Sequence, residues 1–151
     1  MVQKIHSEII EPRVAETDMM GIVYHANYLI WCEVARTGLS SHLGYSYSDL
    51  SQAKVLWPVR RVSVDYRRPA SYGERVYIKT KITRFSGVRL IYSYEFTNDK
   101  GILLARATTE HGITDENLRV VNLFKKDPKL ASCLDAYLKV CQESENTCKK
   151  Q

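Results

Sequence analysis

The stretch NYLIWCEVARTGLSSHL, from Asn27 to Leu43, has the apolar pattern of a long, largely buried α-helix. Apolar side chains recur at helical spacing at Tyr28, Trp31, Cys32, Ala35, Leu39 and Leu43, and the stripe is widened by Leu29, Ile30 and Val34. The remaining polar strip consists of Glu33, Arg36, Thr37 and Ser40. Asn27 is a plausible N-cap, and Gly44 suits the left-handed conformation that ends many helices. The pattern therefore predicts a helix of about four to five turns that needs cover on most sides.

The apolar pattern changes from helical to alternating after this helix. Apolar side chains alternate with mostly polar ones in three runs, which contain Val62, Val64 and Tyr66, then Val76, Ile78 and Ile82, then Val88, Leu90, Tyr92, Tyr94 and Phe96. Turn signals at residues 69–73, 86–87 and 98–101 separate the strands, and such short links favour antiparallel hairpins. Strands are also predicted at residues 6–14, 102–114 and 119–124.

A second helix is predicted from Asp127, as N-cap, to about residue 145, with Pro128 as its first residue. One long apolar helix followed by four or five antiparallel strands has a natural solution, in which the sheet curls around the helix. We therefore expect an α+β hotdog fold, with a central helix wrapped by a curved antiparallel sheet of about five to six strands, plus the C-terminal helix. The 151 residues fit one domain, with its core at about residues 5–124.

Composition and charge argue against several classes of protein. No window approaches the roughly 18 consecutive apolar residues of a membrane span, and charges interrupt the N-terminus, so we expect a cytoplasmic protein without membrane insertion. The four cysteines show neither a CxxC pair nor zinc-type histidine spacing, so we expect free thiols and no metal. The net charge of +5 is spread along the chain, so nucleic acid is not the expected partner.

Polar residues crowd the start of the predicted central helix. Their order is Asp18, two residues, Gly21, two apolar residues, Tyr24-His25, one residue and Asn27-Tyr28, with Glu33 and Arg36 following on the helix. This pattern resembles the 4-hydroxybenzoyl-CoA thioesterase family, and most closely its YbgC-type acyl-CoA thioesterases. PVRRVSVDYRRPASYGERVYIKTKI, residues 58–82, is similar to that family's second and third strands. The resemblance in element order covers roughly residues 5–124.

The chemistry of thioester hydrolysis fits these residue types. The reaction needs a base or nucleophile beside the carbonyl and donors directed at the oxygen that becomes negative. Asp18 can supply the first, either by activating water or by attacking the thioester to give an anhydride, and both routes stay open. The backbone N–H groups of residues 24–27 lie at the first helical turn, where donors lack intrahelical partners and the helix dipole is positive. The family resemblance places His25 beside Asp18 in the catalytic group.

The expected substrate-binding residues surround this pair: Gly21, Tyr24, Asn27 and Tyr28. Gly21 has no Cβ and would let a ligand or backbone approach closely. The chain departs from the family at Val14, four residues before Asp18, where a tyrosine is common; Tyr24 or Tyr28 could replace it.

Each of these residues also has a structural explanation. Asp18 could be a turn residue, and His25 could be a helix-start residue bonded to backbone. Asn27 is a cap first and a site residue second. Glu33 and Arg36 could form an ion pair three residues apart.

The resemblance implies an acyl-CoA thioesterase that needs no cofactor, with CoA entering only as part of the small-molecule substrate. Acyl carrier protein is the alternative carrier, and a non-catalytic ligand- or nucleic-acid-binding module is the alternative from another class. Arginines that could bind the CoA phosphates are Arg60, Arg61, Arg67, Arg68, Arg84 and Arg89. Open strand edges in such a sheet predict a homodimer or homotetramer.

Overall fold

The computed structural model describes residues 4–150, so residues 1–3 and Gln151 of the predicted domain lie outside it. Its five-stranded antiparallel sheet has the order β1-β3-β4-β5-β2. The strands are β1 (His6–Ile10), β2 (Val59–Tyr66), β3 (Val76–Phe85), β4 (Arg89–Thr97) and β5 (Leu103–Gly112). The helices in this part of the chain are α1 (Asn27–His42), α2 (Tyr47–Ala53), α3 (Leu123–Lys126) and α4 (Pro128–Cys148), and a 3-10 turn spans Val14–Glu16. The α+β class is as predicted.

Helix α1 is buried on one side only. The face against the sheet consists of Tyr28, Trp31, Cys32, Ala35 and Leu39, none of them more than 2% exposed. Leu29, Ile30 and Val34 are 43%, 58% and 36% exposed. The expectation of cover on most sides is therefore wrong for the single chain, because a five-stranded sheet reaches only one side of the helix. We call Leu29, Ile30 and Val34 the exposed strip.

The ends of α1 differ in how well they were predicted. Gly44 has a φ of +90°, which confirms its left-handed conformation after the helix. The N-cap position, however, is Ala26, without a side-chain hydrogen bond, so the prediction of Asn27 as N-cap is wrong. Asn27 is the first helical residue, and its side-chain amide donates to the Glu16 carbonyl, outside the helix.

The pairing of β2 corrects the predicted strand order. Hairpins join β3 to β4 and β4 to β5, as the turn signals predict. β2 instead crosses to the far edge and pairs with β5, so residues 69–73 do not close a hairpin. Ala70 accepts a hydrogen bond from the Val23 N–H, and Ser71 bridges Ile22, so this link pairs with the loop before α1. β1 and β2 are left as the two edges of the sheet.

Other boundaries also depart from the sequence pattern. α2 was not predicted, although Ser46 and Asp49 form the capping box at its start. The strand expected at residues 119–124 is wrong: Val120 makes a single bridge to Thr114, and Asn122 caps α3. β1 ends at Ile10 and not near Val14, which belongs to the 3-10 turn.

The C-terminal helix packs against β3 and adds its buried side chains to the same core cluster as those of α1. The Asp127 carboxylate accepts from the Leu130 N–H at 3.1 Å, which confirms it as the N-cap, and α4 runs to Cys148, past the predicted end. The Tyr137 hydroxyl of α4 donates to the Thr80 carbonyl of β3, which holds the two elements together. All four cysteines are free, as expected, and Cys32 is fully buried. None of the helices within residues 4–150 has the length and apolarity needed to cross a membrane.

Candidate active site

The loop before α1 is a short hairpin that carries Asp18 at its turn. Thr17 and Val23 form a bridge, the Asp18 N–H donates to the Ile22 carbonyl at 2.9 Å, and the Tyr24 N–H donates to the Glu16 carbonyl at 2.8 Å. Through Val23 and Ile22 the hairpin is also attached to residues 70–71. Backbone hydrogen bonds therefore fix Asp18 relative to the start of α1.

The Asp18 carboxylate is half-buried and has one oxygen engaged. Its Oδ1 accepts from the Met20 N–H at 2.8 Å, the side-chain turn that the structural explanation expected. Within residues 4–150, Oδ2 has no hydrogen-bond donor and no cation within 4.0 Å. One carboxylate oxygen thus orients the group while the other is available to water or substrate.

Two backbone donors at the start of α1 are available. The predicted set of four is too large, because the Tyr24 N–H is bound to Glu16 and the Asn27 N–H donates to the Tyr24 carbonyl at 3.0 Å. The N–H groups of His25 and Ala26 have no acceptor within the described part of the chain. They precede a helix of 16 residues, so its dipole adds to their attraction for negative charge. The candidate oxyanion donors are therefore His25 and Ala26.

The predicted substrate-binding residues have different surroundings. Gly21 has a φ of +75° and no atom within 4 Å of a Cβ position, so backbone conformation explains the glycine and no protein group approaches it. The Asn27 amide donates to the Glu16 carbonyl at 2.8 Å, which ties the helix start to the hairpin. Tyr28 is 2% exposed and packs against Trp31, and burial raises the pKa of its phenol to about 12.

Tyr24 and His25 lie together on the surface. Both side chains are exposed, and their ring centroids are 4.5 Å apart. The His25 ring makes no hydrogen bond within residues 4–150, so it is free to meet a ligand. Val14, at the position where the family commonly has tyrosine, is 66% exposed and brings no phenol to the hairpin.

Tyr66 is a residue of this region that the sequence analysis did not identify. Its hydroxyl donates to the His25 carbonyl at 2.8 Å, and its ring lies 5.1 Å from that of Tyr28. Tyr66 ends β2, 41 residues from His25 in the chain, so only the crossover of β2 brings the two together. Alternation in the sequence predicts that Tyr66 faces inward, whereas its side chain is 45% exposed, so the pattern gives no signal for this contact.

The predicted polar strip of α1 forms one wall of a cavity of about 230 Å³. All four of its residues line the cavity: Glu33, Arg36, Thr37 and Ser40. The opposite wall comes from α2 and from Leu56 and Trp57. The possible ion pair between Glu33 and Arg36 is not among those formed within residues 4–150. Arg36 donates to the Tyr94 hydroxyl at 3.1 Å, and the Glu33 carboxylate accepts from Thr37 at 3.4 Å.

Neither Asp18 nor His25 lines this cavity. Arg36 lies ten residues beyond Ala26, which is about 15 Å along a helix axis. Within residues 4–150, no group of three or more His, Cys, Asp or Glu side chains is placed to hold a metal ion. The single chain therefore presents two separate features, the helix start with Asp18 and the cavity along α1.

Known proteins are similar to this chain in sequence and fold. Residues 12–138 match the thioesterase-like superfamily. The "Putative acyl-CoA thioesterase YneP" of Bacillus subtilis is 43% identical over 120 residues, which cover 79% of this chain and 87% of YneP. The acyl-CoA thioester hydrolase YbgC of Escherichia coli is 35% identical over 92 residues, 61% of this chain and 69% of YbgC.

A solved structure supports the same assignment. The DHNA-CoA thioesterase of Staphylococcus aureus superposes with a TM-score of 0.85 at 34% identity, covering 91% of this chain and 93% of that one. The predicted resemblance and the predicted hotdog fold are thereby confirmed. The chain belongs to the thioesterase-like superfamily.

Proposed function

We propose that this protein hydrolyses acyl-CoA thioesters at the start of α1. The observation that carries the proposal is the pair of unoccupied backbone donors at His25 and Ala26, beside a hairpin that presents a carboxylate oxygen of Asp18. The similarity to YneP and YbgC, both named for activity on acyl-CoA, supports the same reaction.

The chemistry assigns a task to each group. The thioester carbonyl oxygen would accept from the His25 and Ala26 N–H groups, which stabilise the negative charge that develops when the carbonyl is attacked. Asp18 would either take a proton from the attacking water or attack the carbonyl carbon itself. His25, with its exposed ring, is proposed to orient the carbonyl or the water.

The test is hydrolysis of a panel of acyl-CoA thioesters of graded chain length, including aromatic acyl groups, measured by release of the CoA thiol. Asp18→Asn is the informative variant, because the amide oxygen still accepts from the Met20 N–H and the turn is kept. Turnover should fall by a factor of about a hundred or more, since general base catalysis contributes roughly 10²–10⁴-fold.

A matched control is available in Asp115. Its Oδ1 accepts from the Asn117 and Arg119 N–H groups at 2.9 Å and 3.0 Å, so it is a turn carboxylate of the same kind outside the site. Asp115→Asn should keep wild-type turnover. Equal turnover for Asp18→Asn and the wild type would remove Asp18 from the mechanism, and no hydrolysis of any thioester by the wild type would refute the function.

We also propose that the working unit is a homodimer. β2 is an edge strand with exposed apolar side chains, Val59 and Val62 among them, and Tyr66 at its end contacts the start of α1. The exposed strip of α1 thus adjoins an open sheet edge. A second copy related by a two-fold axis could cover both at once, because an edge strand can pair with its own copy.

A further inference from the structure

Arg36 is a cation that its own protein does not neutralise. The side chain is half-buried in the cavity wall, and among residues 4–150 no carboxylate oxygen lies within 4.0 Å of its guanidinium nitrogens. Glu33, the carboxylate of the same cavity, is bound to Thr37. Charges removed from water are ordinarily paired, so the missing partner of Arg36 is the observation to explain.

A chain of hydrogen bonds between neutral side chains fixes the position of Arg36. Because a guanidinium only donates, the Tyr94 hydroxyl accepts from Arg36 at 3.1 Å and donates a hydrogen bond to the Thr109 hydroxyl at 2.8 Å. Thr109 in turn donates to His111 Nε2 at 2.8 Å. Every group in this chain is uncharged, so the chain fixes the position of Arg36 without neutralising it.

The hydrogen bonds of His111, at the far end of this hydrogen-bonded chain, agree with these donor and acceptor assignments. His111 Nδ1 lies 2.8 Å from the Trp57 carbonyl, which can only accept, so Nδ1 carries the proton and Nε2 is the acceptor. Burial lowers the pKa of His111 to about 4, so the imidazole is neutral near pH 7. Trp57 also lines the cavity. The hydrogen-bonded chain therefore begins at Arg36 and ends at Trp57, both in the cavity wall.

We propose that the cavity binds the acyl part of the substrate and that Arg36 selects acyl groups that end in a carboxylate. The inference rests on the proposed function and names the substrate class of that enzyme. A carboxylate matches the planar guanidinium fork in two parallel hydrogen bonds, and the apolar side chains of Val55, Leu56 and Trp57 would contact the rest of the acyl group.

The proposed dimer explains how such an acyl group reaches the reacting carbonyl. In a two-fold contact with the helices antiparallel, the exposed strips of the two α1 helices would cross near residue 31, the centre of Leu29, Ile30 and Val34. The start of one α1 would then be level with Arg36 of the other copy. The acyl group would lie across this contact and not along the roughly 15 Å of one helix.

Two thioesters with the same benzoyl core test the selection. 4-Carboxybenzoyl-CoA and 4-methylbenzoyl-CoA differ mainly in the terminal charge, and the wild type should have a kcat/KM at least about tenfold higher for the first, as expected of one good charge-assisted pair. Arg36→Met should abolish or reverse this ratio, because the guanidinium that would pair with the carboxylate is gone. Arg36→Lys should give an intermediate ratio, because the charge remains and the fork is lost.

Controls separate selection from folding. Arg106→Met removes a cation from β5 that does not line the cavity and should keep the wild-type ratio. Tyr94→Phe removes the hydroxyl that positions Arg36, so the kcat/KM ratio should fall although Arg36 is still present. This variant tests the selection if Arg36→Met does not fold. A wild type without preference for the carboxylate, or a folded Arg36→Met with the wild-type ratio, would overturn the proposal.

Binding of the free acids tests the cavity independently of hydrolysis. Terephthalate and 4-methylbenzoate can be titrated against the fluorescence of Trp57, with Trp57→Phe to identify the signal. Tighter binding of terephthalate by the wild type, lost in Arg36→Met, would support the selection even if no thioester were hydrolysed. Equal binding of the two acids would overturn the selection, whether or not the enzyme is active.

Discussion

His111 is a buried imidazole whose neutral state is linked to folding. It is fully buried in β5, and burial lowers its pKa from the ordinary 6.5 to about 4. Between these pH values the unfolded chain binds a proton at His111 and the folded protein does not. The stability contributed by the neutral imidazole is therefore fully present above about pH 6.5 and is lost as the pH falls toward 4.

This linkage predicts a measurable acid sensitivity. The difference between the two pKa values corresponds to about 3 kcal/mol of unfolding free energy. In urea unfolding between pH 7.5 and 4, His111→Gln should show a shallower loss of stability than the wild type by roughly that amount. His42→Gln, which replaces an exposed histidine on α1, should follow the wild-type curve. An equally steep curve for His111→Gln would contradict a neutral, folding-linked His111.

The start of α1 depends on a side-chain amide donor. Asn27 donates to the Glu16 carbonyl, whereas an N-cap side chain would accept from the helix. Asp is as good a cap as Asn but cannot donate. Asn27→Asp should therefore destabilise the protein by about 1–2 kcal/mol, because a hydrogen bond is lost and a carboxylate is turned toward a carbonyl oxygen.

The control is the same substitution at a true cap. Asn122 accepts from the Phe124 N–H at the start of α3, so Asn122→Asp keeps the acceptor and should change the unfolding free energy by only a few tenths of a kcal/mol. Equal effects at the two positions in chemical denaturation would mean that Asn27 acts as an ordinary cap.

The sequence predicts the individual helices and strands better than their arrangement in space. Local patterns located α1 and α4, the hairpins of β3, β4 and β5, and Asp18 as a possible turn residue before the helix. They could not place β2 beside β5, because that pairing joins segments far apart in the chain and is not set by the neighbouring turn. Tyr66 at the His25 carbonyl depends on that placement, so no local pattern could reveal it. Likewise, the polar strip of α1 was visible in sequence, but its role as a cavity wall depends on α2 and Trp57.

For the whole molecule, the exposed strip of α1 predicts that two chains associate. Ile30, the most exposed member at 58%, would lie near the two-fold axis, so one substitution enters the contact twice. Ile30→Glu would place two carboxylates there, which are costly to remove from water and repel each other. Light scattering after size-exclusion chromatography should give the mass of two chains for the wild type and one for Ile30→Glu.

A charge swap makes this prediction specific to the strip. Ile30→Lys alone should also be monomeric, but an equimolar mixture of Ile30→Glu and Ile30→Lys should recover dimers, because opposite charges then face each other across the axis. Val120→Glu, at a position 71% exposed and outside the strip, should keep the wild-type mass. A monomeric wild type, or an Ile30→Glu protein with the wild-type mass, would refute a dimer built on α1, and with it the route by which the acyl group is proposed to reach Arg36.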